Sequence, residues 1–165
     1  IGLLLGETPE LIAQGLVSYQ ASGMRQNIYE QDGYQIYADC YNASPDAMEA
    51  TLSVLGGMAG EGRRFAVLGS MLELGDYAEE GHRRAGRAAA QYADVLYAYG
   101  PDAAAMVAGA REKGMEHAYA FDDQTALVAA LREDAKKGDA LLFKGSRGMR
   151  MERALAMFLG EEVEA

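Results

Sequence analysis

Cysteine, histidine and positive charge are all scarce in this chain, and each scarcity removes a class of answer. A single cysteine, Cys40, cannot form an intramolecular disulfide and fits a reducing cytoplasm. One cysteine and two histidines, His82 and His117, are too few for a zinc cluster. Lysine and arginine total 15 against 25 acids, a formal charge of -10, which argues against general affinity for nucleic acid. That balance says nothing against a small anion at a local basic site. No apolar run approaches the length of a membrane span; Ile1 to Leu5 is too short, and no basic region precedes it. The phosphate-binding pattern Gly-x-x-x-x-Gly-Lys-Ser/Thr is absent. Gly56-Gly57-Met58-Ala59-Gly60 has no lysine and follows a helical pattern, as a helix stop does. Neither a Ser-His-Asp order nor a nucleophile elbow is legible. The chain starts at Ile1 rather than Met, and the expectation is a soluble cytoplasmic piece of something longer.

What is present is enough apolar chain for a real core. At 165 residues, 50% hydrophobic, the sequence fits one ordinary domain and not a disordered segment. Thr8-Pro9-Glu10 reads as a helix start, with Thr as N-cap and Pro in the first turn. Residues 26–30 and 34–38 read as a hairpin about Gln31-Asp32-Gly33. From Tyr34 onward, strands (34–38, 65–68, 95–99, 117–121, 140–143) alternate with helices (45–55, 79–92, 102–113, 124–136, 149–159). Such alternation implies crossover units and a mostly parallel sheet. The expected fold is α/β, a Rossmann-like three-layer α/β/α arrangement with about five or six strands. The segment ahead of Tyr34 stands outside this pattern and is expected to be the end of a preceding domain plus a connector. In folds of this type ligands gather beyond the carboxyl ends of the strands.

Three segments at such ends carry chemistry. Lys144-Gly145-Ser146-Arg147-Gly148-Met149-Arg150 follows the last strand and opens the last helix. Two glycines let backbone N–H groups converge, and Lys144, Arg147 and Arg150 add positive charge, as an anion site requires. The alternative is a helix N-terminus that neutralises the chain's own acids. After the first parallel strand comes Asp39-Cys40-Tyr41-Asn42-Ala43-Ser44-Pro45. Asp39 can accept from ribose hydroxyls and Asn42 offers a donor and an acceptor; equally, Asn42 and Ser44 can cap the next helix. After the second lies Leu68-Gly69-Ser70-Met71-Leu72-Glu73-Leu74-Gly75, where Glu73 can orient a substrate amine or simply face solvent. His82 in the following helix reads as a packed or surface residue as readily as a functional one.

In this order the three motifs resemble the C-terminal part of the Mur ligases. The family's Asp-x-Tyr-Asn-Ala-Asn-Pro appears as Asp39 to Pro45. Its Leu-Gly-Asp-Met-Leu-Glu-Leu-Gly with a later His appears as Leu68 to Gly75 with His82. Its Lys-Gly-Ser-Arg-Gly-Met-x-Met-Glu appears as Lys144 to Glu152. The resemblance spans nearly the whole chain and is closest to the branch that adds D-alanyl-D-alanine to UDP-N-acetylmuramoyl-tripeptide in peptidoglycan precursor synthesis. It implies a three-domain enzyme: a UDP-sugar domain, a central ATPase and this C-terminal Rossmann-like domain. Residues 1–22 would be the last helix of the central domain plus linker, and 23–165 the C-terminal domain. ATP would phosphorylate the tripeptide carboxylate, and the dipeptide amine would then form the amide. Arg25, Asp39 and Asn42 would contact ATP; Glu73, Lys144, Ser146 and Arg147 would face the dipeptide. Mg2+ would be held mainly by the central domain, so neither metal ligands nor catalytic residues are assigned within this chain. The piece alone is expected to be inactive, with no nucleic-acid or membrane partner. Ser70 and Ser44 depart from the family's Asp and Asn, which weakens any claim to an essential acid in the Ser70 loop. The alternatives are another ligase of the superfamily, folylpolyglutamate synthase-like or cyanophycin synthetase-like, and a stand-alone Rossmann-type binding module.

Overall fold

Asp32 and Gly33 both take left-handed backbone, with φ of 53° and 87°. That pair of positive φ values is what a two-residue hairpin turn requires. It joins β1 (Asn27–Gln31) to β2 (Tyr34–Asp39), which pair antiparallel with Asn27 opposite Ala38 and Gln31 opposite Tyr34. The computed structural model describes residues 6–17, 26–58 and 60–161. After a helix α1 (Pro9–Val17) and the hairpin come α2 (Pro45–Gly56), β3 (Arg64–Gly69), α3 (Ala78–Tyr92), β4 (Val95–Tyr99), α4 (Ala103–Glu112), β5 (Ala118–Phe121), α5 (Gln124–Asp134), β6 (Ala140–Lys144) and α6 (Met151–Leu159). The expected alternation is present, with ends shifted by a residue or two. One expectation is corrected. Residues ahead of Tyr34 do not all stand apart from the pattern, because β1 is the antiparallel edge strand of the same sheet.

The sheet has six strands in the order β1-β2-β6-β3-β4-β5, and every pairing beyond the first is parallel. Side-chain alternation along a strand divides its residues between two faces. On one face Ala66, Leu68, Leu96 and Leu142 pack under α2, α3 and α4, through Met48, Leu52, Ala85, Ala89 and Met106. On the other, Phe65, Val67, Leu141 and Phe143 pack under α5 and α6, through Leu127, Leu131, Met151, Ala154 and Phe158. Helix starts follow local chemistry. Ser44 accepts from the Ala47 N–H with Pro45 next in line, and Asp123 accepts from the Ala126 N–H.

The last strand decides where a ligand can sit. β6 inserts between β2 and β3, although α2 alone connects those two in sequence. From β2 and β3 the chain leaves for the face of α2 and α3; from β6 it leaves for α6 on the opposite face. Adjacent strands whose continuations part in this way open a crevice at their carboxyl ends. All three motifs of the sequence end there.

Cys40, just past β2, is almost fully enclosed and its thiol donates to the Phe143 carbonyl at 3.4 Å. Burial, with Glu152 and Asp39 nearby, pushes the thiol from an ordinary 9.0 up to about 12. A folded state that holds a proton more tightly than the unfolded chain loses stability as that proton leaves. The contribution of Cys40 is therefore complete below about pH 9 and is lost as the pH rises toward about 12. The slope approaches about 1.4 kcal/mol per pH unit inside that window. Urea midpoints measured from pH 8 upward should fall faster for this chain than for Cys40→Ala; equal slopes would refute the assignment.

Candidate functional site

Three loops meet at the crevice, following β2, β3 and β6. The β3 and β6 loops lie against each other because two glycines allow it. A Cβ on Gly145 would stand 2.8 Å from Met151 Cγ and 3.1 Å from the Gly69 Cα, so the Met151 side chain and the β3 loop would both have to give way. Hydrogen bonds then lock the loops. The Leu72 N–H donates to Ser146 Oγ at 2.9 Å, and the Ser146 N–H to the Ser70 carbonyl at 3.3 Å. Ser70, which stands where the family has Asp, is fully buried. Its hydroxyl accepts from the Asp102 N–H at 3.1 Å and donates to the Tyr99 carbonyl at 3.4 Å, so it ties this loop to the end of β4.

His82 is completely enclosed, and its two nitrogens have different duties. The Met71 N–H donates to Nε2 at 2.8 Å, which makes Nδ1 the proton-bearing nitrogen, donating to the Ala78 carbonyl at 2.6 Å. The carboxylate of Asp102 stands 3.7 Å from Nε2. His82 thus props the loop that carries Glu73 and does not reach the crevice itself. Glu73 is exposed, with a left-handed φ of 66°. Arg150, at the start of α6, has φ 47°. Non-glycine residues held in this region are strained, and such strain collects at functional sites.

The β2 and β6 loops are joined by charge. Asp39 and Lys144 are register partners across parallel strands, and alternation places both on the α2 side of the sheet. Lys144 Nζ lies 2.5 Å from Asp39 Oδ2 and donates to the Asn42 carbonyl at 2.8 Å. The Thr51 hydroxyl of α2 stands 3.4 Å from Asp39 Oδ2, while its short bond, 2.7 Å, goes to the Ala47 carbonyl. Lys144 is only 2% exposed and Asp39 only 7%. Above them the exposed Arg147 guanidinium sits over the Tyr41 ring, 5.2 Å from its centre.

Of the residues picked out in the sequence, Asp39, Asn42, Lys144, Ser146, Arg147 and Glu73 all lie on these three loops or the strand ends that feed them. Arg25 lies outside the described residues. Lys144 differs from expectation. A cation on the rim was expected to face an incoming carboxylate; the ammonium is instead buried beneath the rim and taken by Asp39 and Asn42. The Arg147 guanidinium, by contrast, is exposed. Three contributors escaped notice in the sequence. Thr51 carries no local signal, being one polar residue on a helix. Asp102 had one, its place just past the end of β4. Tyr41 lay within a motif but was not read as a support for Arg147. Among the described residues no group of three or more His, Cys, Asp or Glu is placed to hold a metal ion. No helix among them is long and apolar enough to cross a membrane. A groove of about 570 Å³ between α4 and β5 gathers Val107, Arg111, Tyr119 and Phe121. Its lining comes from one helix and one edge strand, whereas the crevice draws polar groups from three loops, so the crevice is the stronger candidate.

Known proteins resemble the chain along most of its length. The family described as Mur ligase, glutamate ligase domain, matches residues 24–147. The UDP-N-acetylmuramoyl-tripeptide–D-alanyl-D-alanine ligase of Bacillus subtilis (strain 168) is 36% identical over 154 residues, covering 92% of this chain and 34% of the relative. Among solved structures, a MurF ligase from Thermotoga maritima in complex with ADP superposes with a TM-score of 0.80 at 33% identity, covering 97% of this chain and 35% of that one. A MurF from Acinetobacter baumannii gives a TM-score of 0.82 at 29% identity, with 97% and 35% covered. The chain therefore spans about a third of the length of these relatives.

Proposed function

This chain belongs to the Mur ligase family, through its glutamate ligase domain, and from that premise we propose that it is the C-terminal domain of an ATP-dependent amide ligase. The ligase joins D-alanyl-D-alanine to UDP-N-acetylmuramoyl-tripeptide in the cytoplasm, in peptidoglycan precursor synthesis. One observation carries the reading: the loops after β2, β3 and β6 converge on a single crevice, with a nucleotide-suited carboxylate on one side and an open guanidinium on the other.

The division of labour follows from the groups available. Among the described residues the Lys144 ammonium bonds Asp39 at Oδ2, and Thr51 approaches the same oxygen, which leaves Oδ1 as an acceptor for a ribose hydroxyl of ATP. Asn42 Oδ1 accepts from the Ala43 N–H at 2.9 Å, so its amide N–H groups are the donors it can offer the nucleotide. Arg25, from the linker, would add charge toward the phosphates. Arg147 meets the dipeptide carboxylate with its planar fork, Ser146 adds a hydroxyl, and Glu73 accepts from the dipeptide amine. The missing N-terminal and central domains supply the UDP-sugar site, the phosphate loop and the ligands for Mg2+. Closing this crevice over the central domain excludes water and orients the amine, and orientation supplies much of the rate in such reactions.

The test is kinetic, in the full-length enzyme. Arg147→Ala should raise the KM for D-alanyl-D-alanine about 10- to 100-fold, the range for a hydrogen-bonded charge. The KM for ATP should move by less than about twofold on the same argument. A larger effect on ATP than on the dipeptide would remove Arg147 from the dipeptide site.

A further inference from the structure

We propose that Lys144 is a positioning residue for the nucleotide, acting through Asp39 and the Asn42 backbone, and is not a contact for the dipeptide. The inference rests on the nucleotide role given to Asp39 above. A lysine enclosed to 2% exposure must have its charge met, and here it is met by two groups of the β2 end. Nζ bonds Asp39 Oδ2 at 2.5 Å and the Asn42 carbonyl at 2.8 Å. One ammonium therefore sets both the orientation of the carboxylate and the course of the loop that carries Asn42. With Oδ2 held by Lys144, the carboxylate is oriented, and Oδ1 is the oxygen left to offer. A group held in its working orientation before the ligand arrives binds with less entropy loss.

The same lysine sets a spacing. It is the last residue of β6, and Ser146 and Arg147 follow it directly. Arg147 crosses back to Tyr41, so the β2 and β6 loops are clamped twice, by the ion pair underneath and the cation–ring contact on top. The distance between the nucleotide side and the dipeptide side is thereby built into the sheet. For Lys144 to reach a dipeptide carboxylate instead, it would have to leave Asp39 as an enclosed, unpaired charge, which is strongly unfavourable.

The full-length enzyme tests this with Lys144→Met, which keeps the length of the side chain and removes its charge. The KM for ATP, and the Kd for ADP measured without dipeptide, should each rise about tenfold, as for a lost charge-assisted hydrogen bond. The KM for D-alanyl-D-alanine should change by less than about twofold. In Asp39→Asn/Lys144→Met the two effects on ATP should not multiply, because both act through one carboxylate. A rise confined to the dipeptide, an unchanged Kd for ADP, or multiplying effects would each overturn the proposal. Should Lys144→Met fail to fold, Lys144→Arg gives the same reading: the charge survives but the geometry shifts, so ATP and ADP should weaken while the dipeptide does not, and the reverse order overturns it. The ligase reading fails by a different result, the absence of ATP-dependent amide formation in the unaltered full-length enzyme.

Discussion

Asp39→Ala should cost this domain about 3–5 kcal/mol of stability, the penalty for breaking an enclosed ion pair from one side. The change deletes one small side chain and leaves the Lys144 ammonium with the Asn42 carbonyl as its remaining partner, at 2% exposure. Domains of this size are stable by roughly 5–15 kcal/mol in total, so the loss is a large fraction. In a thermal melt it amounts to roughly 10 °C or more. What makes the prediction specific is its partner experiment. Asp39→Leu/Lys144→Met removes both charges and fills the space with apolar atoms, and replacements of that kind are often neutral or stabilising. Urea denaturation of the 165-residue chain followed by circular dichroism should show the single change far worse than the double. If Asp39→Ala costs under about 1 kcal/mol, or the double change is as damaging as the single, the pair is not the enclosed unit described here. Where the pair is that unit, stability and nucleotide binding separate in the double variant: the fold returns, while the acceptor proposed for the ribose is still missing.

Gly86→Ala is the second large effect, and its sign runs against local propensity. Alanine favours a helix interior over glycine by about 1 kcal/mol, and Gly86 lies in the middle of α3. Yet a Cβ at Gly86 would stand 1.8 Å from the Met106 carbonyl oxygen and 2.9 Å from the Ala110 nitrogen, both backbone atoms of α4. From the other side, a Cβ at Gly109 would stand 2.0 Å from the Arg83 carbonyl oxygen. The two helices touch backbone to backbone at these glycines, with Ala85, Ala89, Met106 and Ala110 enclosed around the crossing. Backbone cannot step aside as a flexible side chain can, so α3 and α4 must part and open that packing. Overpacking usually costs 1–3 kcal/mol and more where nothing can yield; roughly 3 kcal/mol or more is expected here, and Gly86→Val should prevent folding. An alanine variant as stable as the parent in urea would show that the crossing is looser than this.

Much of this molecule was legible in one dimension. The Asp-Gly turn, the Ser44-Pro45 start of α2 and the alternation of apolar runs are set by neighbours within a few residues, where backbone preference and side-chain period act. So is the concentration of glycines and cations after β6, which marked the rim before its partners were known. The pairing of Lys144 was not legible. As a cation in a glycine-rich turn it reads as a ligand group, and the nearest acids along the chain, Asp139 and Glu152, are not the ones that meet its charge. Its partner Asp39 is 105 positions away and becomes a neighbour only when β6 enters the sheet beside β2.

The sequence by itself determined which segments are strands and helices, their order, and which loops carry polar and charged groups, since those depend on local conformational preference and on the period of burial. Tertiary structure alone decided that β6 lies between β2 and β3, that Asp39 meets Lys144 while Arg147 stays open, and that Gly86 and Gly109 are points of backbone contact. Strand order and helix crossing are settled by which distant faces exclude water best together, and that free energy belongs to the assembled layers and to no single segment.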